Sequence, residues 1–488
     1  MPKIKKYLPF IALFFLILLL RSPSFFEPHW YFDEGVYSVF GKSILEGHSP
    51  YMYVWDHKPL GIYLIYSLAY LVPFDTLFVA KFFAFLSAFG SSLVLFLIAR
   101  QAFSRKAAFI AAFTFGISSS LTFFDGNQAN GEIFILPFLL FSIYLIEPFN
   151  KSINVKKIFW AGIFLGIASS IKQVAGIDLA LLTVLLLLKE GRFFKNLLVL
   201  IWGFSSTILL TAFITLLLGT PLPDFWFAVV KFNFSYVVSR KLGILFNFLK
   251  FSLLFLIPIL FLVRSKIAYF PLVIWLVIDL IGVLSGGQPY PHYLIQVLPV
   301  VSLIFAVALT YGGSAKLLRF VATGAGVFFI FLLGNSYFRI VPYGDVFSEW
   351  GYYNSFVKTA LSGNYRTFEE VFSSRWAVDR NKKVVEYLNK NSSKNDYIYI
   401  WGGGTTSWLY NDLDRKIPSR YISFLHAEAI PEAPKQTIND LKERKPKFIV
   451  TTPHPTFEEL TSLIDKNYLL DKEIDDVTIF KLKAQKED

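Results

Sequence analysis

The chain opens Met1-Pro-Lys-Ile-Lys-Lys6 and then runs apolar without a break from Leu8 to Leu20 (LPFIALFFLILLL), stopping at Arg21-Ser22-Pro23. A charged start and an apolar run of this length resemble a secretory signal, but no small-residue cleavage site follows. The stretch therefore reads as an uncleaved first transmembrane helix with its N-terminus in the cytoplasm. Similar apolar runs recur near 77–99, 107–124, 133–148, 158–171, 174–188, 197–218, 245–263, 268–284, 293–310 and 320–337, giving about eleven spans. Composition agrees. Of 488 residues, 55% are hydrophobic and 17% charged, and Phe alone supplies 54, with a mean hydropathy of +0.52. A soluble chain is about 25% charged, so one soluble domain is excluded, as is disorder.

Charge placement tests the topology. The predicted inside loops hold Lys3, Lys5, Lys6, Arg100, Arg105, Lys106, Lys151, Lys156, Lys157, Lys189, Arg192, Lys195, Arg264, Lys266, Lys316 and Arg319, against the acids Glu147 and Glu190. The net charge of +12 thus follows the positive-inside rule and is not a nucleic-acid footprint. An odd span count puts the tail outside. With 0 Cys there is no disulfide framework and no thiolate metal site. No internal repeat of a transporter kind is visible. The expected division is a membrane domain over 1–337, a linker over 338–378 and a soluble extracytoplasmic α/β domain over 379–488. In the tail, strands are predicted over Asp396–Trp401, Phe448–Thr452 and Val477–Leu482, with helices over Asp379–Asn391, Thr437–Glu443 and Phe457–Asp465. That alternation suggests a largely parallel sheet. Gly402-Gly403-Gly404 reads as a tight strand-to-helix turn.

The predicted outside loops are 21–76, 125–132, 219–243 and 285–292, and loops of this kind carry function. The first reads His29-Trp30-Tyr31-Phe32-Asp33-Glu34-Gly35-Val36-Tyr37, then Gly47-His48-Ser49-Pro50-Tyr51, then Trp55-Asp56-His57-Lys58-Pro59-Leu60. Taken bare, such residues outside a membrane simply sit in water.

This ordered set resembles the C-type (GT-C) membrane glycosyltransferases, the group of protein O-mannosyltransferases, aminoarabinose–lipid A transferases and Rgt-type lipopolysaccharide glycosyltransferases. Members carry an Asp-Glu pair in the first outside loop, then a Tyr, a Gly-x-x-Pro-Tyr-like segment, and a Lys-Pro segment leading into an apolar helix. The resemblance covers about residues 1–337 and is most specific over 33–63. It implies Asp33 and Glu34 as the catalytic pair, Asp33 acting as base, with Tyr37 following. It implies Lys58 as the contact to a lipid-linked phosphate. His57 stands where the aminoarabinose subgroup often has an acid, and Val36 where that subgroup has Arg, so the acceptor is left open.

It further implies a polyprenyl-phosphate sugar as donor, because nucleotide sugars stay in the cytoplasm and this site faces outside. The acceptor is a hydroxyl of protein, lipid or cell-envelope glycan, and a single base implies inversion. Cations must hold the leaving phosphate. Beyond Lys58 the candidates are Lys172, at the end of a Gly-rich helix and equally readable as a snorkelling anchor; Lys231 and Arg240 in the loop 219–243, equally readable with its aromatics as a plain interfacial belt; and His292 in Gln288-Pro289-Tyr290-Pro291-His292-Tyr293, equally readable as a surface histidine. Glu132, beside Asn130, fits the family's second acidic position or a helix N-terminal acid. Only six His occur and none pair at metal-binding spacing. No cofactor is therefore expected, a divalent ion on Asp33 or Glu34 being the exception. Two other readings compete: a transporter or flippase of lipid-linked sugars, and a glycan-binding sensor whose Asp33 and Lys58 would lie apart.

Overall fold

The computed structural model describes residues 2–234, 270–285, 290–310, 349–454 and 456–484. The predicted spans 245–263 and 320–337, and Arg240 with them, lie outside the described residues. Elsewhere a helix occupies each predicted span: α1 Pro2–Arg21, α4 Thr76–Arg100, α5 Arg105–Ser118, α6 Gly131–Ile146, α7 Val155–Ile171, α8 Asp178–Leu187, α9 Phe193–Leu217, and two further helices, Phe270–Ser285 and Leu298–Thr310. Tyr7–Phe26, Thr76–Arg100 and Phe193–Leu217 are long and apolar enough to cross a membrane by themselves; the other apolar helices are shorter. The predicted first outside loop adds α2 Phe32–Leu45 and α3 Leu60–Tyr70.

Side chains at the loop ends start these helices. Asp75 accepts the Phe78 N–H at 2.9 Å, Ser104 that of Ala107 at 3.1 Å, and Asn130 that of Gly131 at 2.7 Å, each satisfying a donor that the first turn leaves orphaned. Glycine sets the closest helix pair. A Cβ on Gly162 would lie 2.3 Å from the Leu200 carbonyl oxygen, and one on Gly203 would lie 2.2 Å from that of Phe159. Backbones of α7 and α9 therefore touch directly, as small residues allow where no hydrophobic effect drives helices together.

The tail holds a four-stranded sheet in the order β1-β2-β4-β3, with β1 Ile398–Trp401, β2 Phe448–Thr451, β3 Tyr468–Ile474 and β4 Val477–Leu482. The expected largely parallel sheet is corrected here. β1 and β2 are parallel, but β4 runs antiparallel to β2 and forms a hairpin with β3. β3 carries Asp471, Lys472 and Glu473 and is mostly exposed, so it lacks the apolar run that announces a buried strand. Gly402–Gly404 makes the predicted turn: Gly404 has φ +59°, and a Cβ on Gly403 would meet the Phe424 ring at 1.9 Å.

Candidate active site

Asp33 lies in the first turn of α2, where the helix dipole favours a carboxylate. Its side chain is 20% exposed and lies 3.8 Å from the Lys58 ammonium. Lys58 comes from the segment between α2 and α3. Its carbonyl accepts from Tyr51 Oη at 2.8 Å, its N–H donates to Tyr63 Oη at 3.3 Å, and its ammonium lies 5.4 Å from the centre of the Tyr37 ring and 3.6 Å from Asp56 Oδ1. Burial would raise the Asp33 carboxyl, but Lys58 and then His292 more than offset it and hold it below the ordinary range.

A second set of groups closes around the same carboxylate. Asn130 Nδ2 donates to Asp33 Oδ2 at 3.3 Å and to Tyr31 Oη at 3.2 Å, while Tyr37 Oη donates to Asn130 Oδ1 at 3.1 Å. Tyr31 Oη in turn meets His292 Nδ1 at 3.3 Å. A 3-10 turn, Pro291–Gln296, delivers His292, which also lies 3.0 Å from Asp125 Oδ2 and 3.9 Å from Glu132 Oε1. Lys172 pairs with Glu132 and lies 4.8 Å from the centre of the Tyr293 ring. Gly131 makes room for it, since a Cβ there would come within 3.0 Å of the lysine's Cδ. Asp33, Lys58, Tyr37, Glu132, Lys172 and His292 thus form one continuous polar cluster, although the chain brings them from four separate loops.

Three sequence candidates sit elsewhere or differently. Glu34 is fully buried. It accepts the Ala129 N–H at 2.7 Å and lies 3.6 Å from Lys81, in a second network where Lys81 donates to Glu27 Oε2 at 2.5 Å. Glu27 also accepts from Trp30 at 2.9 Å, Asn127 at 2.7 Å and Tyr352 at 2.5 Å. Burial pushes the Glu34 carboxyl up to about 7, against the pull of Lys81. Successive helical residues point about 100° apart, so Glu34 faces the interior while Asp33 faces the cluster. The two expected catalytic neighbours therefore lie in different surroundings, Asp33 beside Lys58 and Glu34 beside Lys81 and the Ala129 amide. Lys231 is exposed and makes no ion pair among the described residues. His57 adjoins the cluster through Asp56, and burial together with the charge of Lys58 lowers its imidazole to about 4.

The sequence assigns no role to Asp56, Tyr31 or Asp125; their chemistry emerges only from the neighbours that folding supplies. The tail also reaches the site. Its helix Thr406–Leu413 lies along α2. Trp408 Nε1 donates to the Tyr31 carbonyl at 2.8 Å and Ser407 Oγ to the Phe32 carbonyl at 3.0 Å. Further along, Ser38 donates to Asn411 at 2.8 Å, and Lys42 pairs with Asp414. His29 stacks on Trp408 at 4.0 Å and meets Asp412 at 2.8 Å. From the next tail segment, the Arg420 carbonyl accepts the Trp55 N–H at 2.9 Å. Among the described residues, one group of three side chains has donor atoms close enough to hold a metal: Asp56, His57 and His426.

Comparisons with known proteins add to this geometry. Residues 56–218 match the family model described as "Dolichyl-phosphate-mannose-protein mannosyltransferase". Residues 377–483 match that described as "Putative competence-induced protein Ccs4 C-terminal domain". No curated protein matches the chain significantly. Among solved structures, ArnT from Cupriavidus metallidurans bound to undecaprenyl phosphate is 12% identical with a TM-score of 0.58, covering 98% of each chain. Its apo form is 13% identical with the same score and coverage. AglB from Archaeoglobus fulgidus, in complex with an inhibitory peptide and a dolichol-phosphate, is 14% identical with a TM-score of 0.49, covering 92% of this chain and 70% of its own. The fold is that of a polytopic helical membrane protein and is similar to that of ArnT over nearly the whole chain, while the mannosyltransferase family model matches residues 56–218 within it.

Proposed function

We propose that the protein transfers one sugar from a polyprenyl-phosphate donor to a hydroxyl acceptor at the outer face of the membrane, with inversion and with Asp33 as general base. The observation that carries this reading is the 3.8 Å approach of Asp33 and Lys58 at the end of an outer loop. One group takes a proton and the other holds a leaving phosphate. As the acceptor oxygen bonds to the anomeric carbon, its proton passes to the Asp33 carboxylate. The bond from that carbon to the phosphate oxygen breaks, and the polyprenyl phosphate leaves with the electron pair. The low pKa keeps Asp33 ionised at neutral pH, so proton transfer occurs late, as the nucleophile loses its electrons.

Lys58 carries the charge of the departing phosphate, aided by Lys172 and His292. The donor phosphate takes the place of Asp33 and Asp56 beside the Lys58 ammonium. The similarity to ArnT bound to undecaprenyl phosphate supports a donor of this class. Asn130 and Tyr37 orient the base, and Glu34 holds the backbone at Ala129, next to Asn130. The basic loops keep the N-terminus in the cytoplasm and place the tail outside. The division into a membrane domain over 1–337, a linker over 338–378 and an extracytoplasmic domain over 379–488 belongs to the same reading.

The test is an assay of the purified chain in nanodiscs with a panel of polyprenyl-phosphate sugars and membrane extract, read by mass spectrometry of the product. Asp33→Asn keeps the size and the contact to Asn130. It should retain the melting temperature and lose at least about 100-fold in rate, the usual worth of a general base. Wild-type transfer by that variant would refute the assignment.

A further inference from the structure

We propose that Asp56, His57 and His426 form a transition-metal site of the zinc class, shared between the outer loop and the tail. Asp56 Oδ1 lies 3.0 Å from His57 Nδ1 and 3.5 Å from His426 Nε2, and the three donor atoms all lie within 4.8 Å of one another. A tetrahedral ion with bonds of about 2.0–2.2 Å sets its ligand atoms roughly 3.3–3.5 Å apart. The three side chains therefore need only a small adjustment to close on one ion. Two imidazoles and one carboxylate suit zinc, cobalt or nickel, whereas magnesium and calcium take oxygen ligands. Three protein ligands leave a fourth position open.

The surroundings are those of a built site. Asp56 and His426 are buried. The second Asp56 oxygen accepts from Tyr63 Oη at 2.9 Å. The His57 carbonyl accepts from Gln173 at 3.1 Å and Asn233 at 2.9 Å. Such partners around the ligands orient a metal-binding group before the ion arrives. Trp55 packs edge-on against the His426 ring at 5.1 Å, and Phe232 lies 5.4 Å from the ring of His57, which walls the group from bulk water. The ligands come from chain segments some 370 residues apart, so an ion there fastens the tail to the loop that carries Lys58.

Lys58 opposes the ion, because its ammonium lies 3.6 Å from the same Asp56 oxygen. Metal binding relieves Asp56 of that partner and leaves Lys58 to the donor. Removing the ammonium should therefore tighten the metal by about tenfold, the size of a charge repulsion across about 5 Å in a watery medium.

The experiment uses the full chain in detergent, carrying no polyhistidine tag, stripped with chelator and titrated with cobalt(II) and zinc(II). One equivalent of cobalt should give visible absorption bands of a tetrahedral site, which zinc abolishes, and zinc should raise the melting temperature. His426→Asn and His57→Gln, each checked for a wild-type melting temperature without metal, should lose the bands. Lys58→Met should keep them and bind about tenfold more tightly. No stoichiometric bands, bands retained in both histidine variants, or unchanged affinity in Lys58→Met would overturn the proposal. The readout needs neither donor nor acceptor, so it stands or falls separately from the transferase assay.

Discussion

Replacing Lys81 by Met tests the support behind the base. Lys81 is 1% exposed and bridges two buried carboxylates, Glu27 at 2.5 Å and Glu34 at 3.6 Å. Methionine fills a similar volume and leaves both acids without their cation. Removing one partner of a buried pair costs about 3–5 kcal/mol. Two features place this case at the low end. Glu27 keeps its donors Trp30, Asn127 and Tyr352, and Glu34, already raised to about 7, can escape by taking up a proton. The expected loss is about 3 kcal/mol, or roughly 5–10 °C in melting temperature for a domain of a few hundred residues. The assay is thermal unfolding in one detergent at one scan rate, since large proteins unfold irreversibly. Adding Glu27→Gln removes the orphaned charge and should restore at least half of the loss, which a double-mutant cycle measures. A shift under about 2 °C for Lys81→Met, or a double variant no better than the single one, would show that the triad does not hold this region together.

Other expectations follow the same contacts. Because the Glu34 carboxyl is raised from 4.5 to about 7, its contribution is complete below pH 4.5 and is lost as pH rises through 7. Wild type should accordingly lose up to about 3 kcal/mol against Glu34→Gln over that window, read from melting temperatures at each pH. Burial disfavours the His29 cation, but hydrogen bonds to Asp412 and Asp75 outweigh it and carry the imidazole up to about 9. That latch is complete below pH 6.5 and fades as pH rises through 9. The tail helix should lose about 1–2 kcal/mol of docking, after screening of the exposed Asp75, seen as faster amide exchange over Thr406–Leu413 and absent in His29→Asn. Gly203→Ala forces a Cβ to within 2.2 Å of the Phe159 oxygen and should cost about 3 kcal/mol or more. Gly90→Ala, where nothing lies within 4 Å, should leave the melting temperature unchanged or slightly raised.

Sequence alone was enough for the described helices of the membrane region, because a bilayer demands long apolar segments with every backbone group paired internally, and that demand is written residue by residue. Through the resemblance to the transferase family it also offers Asp33 and Lys58 as candidates, which the fold brings to 3.8 Å of each other. It did not reveal β3, because a solvent-exposed hairpin strand with Asp471, Lys472 and Glu473 has no apolar period to detect. Nor could it separate Asp33 from Glu34. The two are adjacent in the chain, yet the turn of α2 sends one to Lys58 and the other to Lys81 and the Ala129 amide. The seat of Trp408 against the Tyr31 carbonyl and the meeting of His426 with Asp56 were likewise decided by tertiary structure. Hydropathy is a property of neighbours along the chain, whereas a hydrogen bond or an ion pair requires a partner at about 3 Å, and only the folded chain brings residues hundreds of positions apart to that distance.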